Sequence, residues 1–117
     1  MTGGFAETPE PPYYAVIFTS RQADDRGYGA MAAKIAALAA EAPGALGMET
    51  ARGDDGIGVT VSYWRDEASI LAWKRNVEHL AAQRMGVERF YARYVLRVAK
   101  VERAYWGPEG RAGGLEL

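Results

Sequence analysis

The pattern of apolar and polar positions divides the chain into four strands and two helices. Tyr13 to Ser20, YYAVIFTS, is rich in aromatic and β-branched residues, with Tyr13, Ala15 and Ile17 facing one way and Tyr14, Val16 and Phe18 the other. This predicts a strand covered on both sides. Arg21 to Arg26 is polar, and Asp24 or Asp25 can cap a following helix by accepting from its unpaired N–H groups. From Tyr28 to about Glu41 the residues Tyr28, Met31, Ile35, Leu38 and Ala42 fall three or four apart, and eight alanines between 30 and 42 favour a slim helix. Ala42-Pro43-Gly44 stops it, since Pro43 disfavours helical geometry before it and Gly44 can turn the chain.

Leu46 to Arg52 and Ile57 to Trp64 are the next two strands, joined by Gly53-Asp54-Asp55-Gly56, a composition suited to a tight antiparallel hairpin. Asp66 is placed to cap EASILAWKRN, and a second helical piece continues from Val77 to Arg89, with a bend expected near Asn76. Phe90 to about Tyr105 reads as a last strand of about fifteen residues, long by ordinary standards. The segments expected are a flexible leader over 1–12, one domain over 13–106 and a flexible, glycine-rich tail over 107–117.

The order β-α-β-β-α-β is that of the ferredoxin-like α+β fold, a four-stranded antiparallel sheet with helices on one face. A sheet with one wet face should alternate apolar with polar, yet Val59, Val61 and Tyr63 stand beside Trp64, and Tyr94, Leu96 and Val98 beside Val95 and Val101. Something must cover the second face. A chain of 117 residues has no third layer to offer, so the sheet of a second copy is the expected cover, making a homodimer.

Composition narrows the chemistry. A hydrophobic content of 49% and a net charge of -1 suit one compact domain and give no phosphate-neutralising field, so nucleic acid is not an expected partner. With no cysteine and one histidine, disulfides, thiolate nucleophiles and a histidine-rich metal site are excluded. No apolar run reaches the ~20 residues that span a bilayer, and the start lacks the pattern of a secretory signal, so a cytoplasmic protein is expected.

YYAVIFTS, the helix stop APGALGME, the SYW ending the third strand and the helix AWKRNVEHLAAQ resemble the antibiotic biosynthesis monooxygenase-like family of dimeric α+β barrels, over Tyr13 to about Tyr105. The resemblance implies a pocket in each subunit between helices and sheet, with Trp73, Asn76 and His79 on its helical wall. Characterised relatives include cofactor-free monooxygenases of polyketide quinones and haem-degrading enzymes. The haem-degrading members carry an Asn on the first strand and a His ten residues after a helical Trp. Here Thr19 or Ser20 stands where the Asn is needed, and Trp73 and His79 are six apart, roughly 240° around a helix rather than aligned.

The candidate chemistry is therefore that of a monooxygenase needing neither metal nor cofactor. A planar phenol- or quinone-like substrate would sit among Phe18, Tyr63, Trp73 and Tyr94, and His79 would accept its proton so that the substrate anion can reduce O₂. Each residue has a plainer reading: His79 bonded to backbone, Trp73 as core at helical spacing from Ile70 and Val77, Asn76 as a helix interruption. The alternative function is a non-catalytic dimeric module that binds a small hydrophobic ligand. Asp54-Asp55 belongs to turn chemistry rather than a cation site. Arg93 and Arg97 share a face of the last strand and suit pairing with acids across a dimer interface.

Overall fold

The computed structural model describes residues 4–22, 37–83 and 91–108, of which 22, 79–83 and 91–93 are described by backbone alone. The elements are β1 (Tyr13–Gln22), the helical end α1 (residues 37–41), β2 (Ala45–Arg52), β3 (Ile57–Trp64), α2 (Glu67–Gln83) and β4 (Tyr91–Val101). The strands form one antiparallel sheet in the order β2-β3-β1-β4, the ferredoxin-like arrangement. The expected start of the first helix and the expected end of the second lie outside the described residues.

The turns follow from their sequence. At the end of α1, Gly44 adopts φ 88° and its carbonyl accepts from the Arg65 N–H at 2.8 Å. A Cβ at Gly44 would lie 2.1 Å from Ser69 Oγ, so only glycine lets this turn pack on the start of α2. In the β2–β3 hairpin Gly56 has φ 87°, the Gly53 N–H donates to Ile57 O, and the Ile57 N–H donates to Asp55 Oδ1 at 3.0 Å. Asp66 caps α2 by accepting the Ser69 N–H at 2.8 Å.

Two expectations are corrected. α2 runs unbroken through Asn76, because the tertiary stripe of Ile70, Trp73 and Val77 holds the helix across a residue of only middling propensity. β4 ends at Val101 rather than near Tyr105, because its partner strand begins at Tyr13, opposite Val101, and Pro12 before it has no N–H to offer.

The core lies between the sheet and the helices. Val16 and Trp64 are fully buried there with Ala39, Ile70 and Trp73, and Tyr14, Leu38, Ala42, Ala45, Met48, Val77 and Leu96 pack around them. The indole of Trp64 donates to Ser62 Oγ at 2.8 Å, so the largest buried side chain leaves no unpaired donor.

The opposite face is built differently. Tyr13 and Tyr63 meet edge to face at 5.8 Å, Tyr63 donates to Glu49 Oε1 at 2.7 Å, and the Ala6 N–H donates to Glu49 Oε2 at 2.9 Å. The hydroxyls of Thr8 and Tyr13 share a bond of 2.9 Å. The leader thus lies against the sheet at a register shift between Ala45 and Gly47, where Gly47 has φ 148° and a Cβ would come 2.9 Å from that of Ala6.

Ser62→Ala is expected to cost about 1–3 kcal/mol in urea unfolding, because it strands the buried indole N–H of Trp64. Ser69 hydrogen bonds, through its side chain and its N–H, hold the Asp66 carboxyl below its ordinary 3.8. Its folded value being depressed, the cap contributes fully above pH 3.8 and fades as pH falls through the lowered value. Asp66→Asn, which keeps an acceptor, should flatten that part of the melting temperature's acid dependence, whereas Asp66→Ala should lower the melting temperature at neutral pH as well.

Candidate functional site

Ile70, Trp73 and Val77 fall three and four apart on α2, which turns one stripe of that helix onto the sheet. Trp73 is 8% exposed, and its ring lies 5.3 Å from that of Trp64 at an interplanar angle of 39°. The two indoles differ in their polar edge. Trp64 spends its N–H on Ser62, whereas Trp73 Nε1 is buried with no hydrogen-bond partner. An unpaired buried donor costs about 1–3 kcal/mol, so it stands out as a group that an incoming acceptor would satisfy.

The other proposed site residues divide. Phe18 and Tyr94 lie on the helix-facing side of the sheet, since Val16, two residues from Phe18, and Leu96, two from Tyr94, face the core. Their rings are 5.7 Å apart, tilted by 49°. Trp73, Phe18 and Tyr94 therefore share one side. Asn76 is exposed on α2. The side chain of His79 lies outside the described residues. Tyr63 is on the other face: it pairs with Ala15, while its neighbour Trp64 enters the core. A period of two along β3 forbids Tyr63 and Trp64 from sharing a side.

Sequence reasoning passed over Glu49 and Ser62. Ser62 was readable as the residue two before Trp64, hence on its face. Glu49 carried no local signal, because its partners come from β3 and from a leader 43 residues away. Burial, reinforced by the hydrogen bond to Glu49 and its charge, pushes the Tyr63 hydroxyl up from 10.0 to about 12. Glu49→Gln should bring it part of the way back toward 10.0, read from phenolate absorbance against pH, with burial retaining the remainder.

A family model for antibiotic biosynthesis monooxygenases matches residues 18–85. The chain is 50% identical over 104 residues, 88% of its length, to 91% of the uncharacterized protein YqjZ of Bacillus subtilis. Two solved structures share the fold: PA3566 of Pseudomonas aeruginosa, at TM-score 0.56 and 19% identity over 82% of this chain and 98% of that one, and NE2512 of Nitrosomonas europaea, a protein of unknown function, at 0.62 and 13% over 83% and 96%. The matched segment carries β2, β3, the Trp64–Trp73 pair and the whole of α2, and on it the chain belongs to the antibiotic biosynthesis monooxygenase family.

Proposed function

We propose that the protein is a homodimeric, cofactor-independent monooxygenase that oxidises a small phenol- or quinone-like aromatic with O₂. Family membership supports the reaction class, and the observation that carries the site is the unpaired, buried N–H of Trp73, on the side of the sheet that also carries Phe18 and Tyr94. The substrate ring lies between α2 and the sheet near Phe18 and Tyr94, and its ring oxygen accepts the Trp73 N–H. That bond strengthens as the ring is deprotonated and negative charge grows on the oxygen. His79 takes the proton, and Asn76 binds a second carbonyl at the rim. In an anthrone-type substrate, the keto tautomer of such a phenol, the anion then gives electrons to O₂: the ring CH₂ becomes C=O, one oxygen atom stays on carbon and the other leaves as water with the two hydrogens. Tyr63, turned to the other face, has no part in it.

The packing of Trp73 on Trp64 favours a second reading, in which the same aromatics form core around a bound hydrophobic ligand without turnover. Aerobic and anaerobic incubation with anthrones or hydroquinones separates the two. The first reading expects one O₂ consumed per product, a loss of about 10²-fold or more in His79→Ala, and ligand binding weakened about tenfold in Trp73→Phe. Binding with no oxygen uptake favours the module, and an undiminished rate in His79→Ala removes the histidine as base.

A further inference from the structure

On the helix-facing side of the sheet, the strand register sorts polar from apolar by position along the strands. One row runs Met48, Ser62, Val16, Val98 from β2 to β4, beside the core that Trp64 closes. Toward the β2–β3 hairpin the rows become Thr50, Thr60, Phe18, Leu96 and then Arg52, Gly58, Ser20, Tyr94. In this last row the two central positions, Gly58 and Ser20, are small and buried, while one edge carries a guanidinium and the other a phenol. Gly58 decides where the guanidinium lies. A Cβ at Gly58 would stand 2.5 Å from Arg52 Cζ and Nη2, so Arg52 crosses from the edge strand and rests over β3 in the space a side chain would fill. Its Nη1–H donates to Gly56 O at 2.8 Å, which holds the fork there. One row nearer the core, the hydroxyls of Thr50 and Thr60 share a bond of 2.8 Å, which uses one of their two protons and leaves the other to donate.

We propose that the substrate is an aromatic acid: its ring oxygen accepts from Trp73, and a carboxylate at its far end lies against the Arg52 guanidinium and the hydroxyls of Thr50 and Thr60. This rests on the aromatic-substrate reading and adds the charge of the substrate. Trp73 packs on Trp64, and Thr60 is four residues from Trp64 along β3, about 13 Å in a strand. The two polar groups of the ligand therefore belong at opposite ends of it rather than on adjacent carbons. Phe18 and Tyr94 stand in the same two rows as Thr60 and Arg52, so apolar ring surface and the acidic group are received side by side. A planar, permanently charged fork matches a planar carboxylate, and a bond between two charged partners is stronger than one to a neutral carbonyl. The hydroxyl pair adds a donor to an oxygen that the fork leaves open.

Calorimetric titration of the full chain with 6-hydroxy-2-naphthoate, and with 2-naphthol, which lacks the carboxylate, tests the assignment. Wild type should bind the acid about tenfold or more tightly than the naphthol. Arg52→Gln removes the charge of an exposed side chain. Gly58→Ala keeps the charge but displaces the guanidinium, a flexible side-chain end that moves without strain on the strand. Both variants should lose the preference for the acid while their affinity for 2-naphthol stays within about twofold of wild type. Equal affinity of wild type for the two probes overturns the acid and leaves the aromatic site standing. A preference that survives in Arg52→Gln overturns it also, and one that survives in Gly58→Ala overturns the direct contact. A wild-type chain that binds neither probe overturns the aromatic-substrate reading itself.

Discussion

Everything on the helix side of the sheet depends on the burial of Trp64 at the end of β3. It is the largest side chain with no exposure, and a tryptophan can be sealed in this way only if its N–H finds an acceptor. Ser62, on the same face two residues earlier, supplies it at 2.8 Å. With that bond made, the ring can serve as a floor for Trp73 and Ile70 from α2, Ala39 from α1 and Val16 from β1. The chain then leaves Trp64 directly into the turn in which the Arg65 N–H is held by Gly44 O and Asp66 caps α2. The start of the helix, the end of the preceding one and the core beneath both are thus fixed within a few residues of one indole.

Against that background the second tryptophan is anomalous. Trp73 packs on Trp64, shares its burial and could have been given a serine of its own, yet its N–H goes unmet. Natural cores pair nearly all buried donors, and exceptions concentrate where a group is held ready for something that comes and goes. The cost is tolerable because the ring's apolar burial exceeds it: a large aromatic contributes about 3 kcal/mol or more when fully buried, against about 1–3 for the stranded donor.

The β2–β3 hairpin, the stop after α1 and the cap of α2 were legible because each rests on local chemistry: Gly44 and Gly56 at positive φ and Asp66 as acceptor. The unbroken helix through Asn76 was not, since tertiary packing of the Trp73 stripe overrides a weak local preference. Nor was the end of β4, which its neighbour decides. The site was legible in part. Trp73, Phe18 and Tyr94 do lie on one side of the sheet, and Tyr63 was separable from them by counting, for adjacent strand residues cannot face the same way. Only the register could bring Glu49 into view, through contacts with β3 and the leader.

Apolar residues on both faces of the sheet do not mean that both faces do the same job. On the helix face the core closes around Val16, Trp64 and Trp73, while Tyr94 and Val98 toward the β4 edge stay exposed, and the one buried side-chain donor without a partner among the described residues is Trp73 Nε1. On the other face Glu49, Tyr63, Tyr13 and the leader are joined by hydrogen bonds and ring contact, while Val59, Val95 and Arg97 are exposed. The division follows from the pleat itself: Tyr63 and Trp64 are neighbours in sequence, and turning Trp64 into the core beneath the helices turns Tyr63 onto the opposite face.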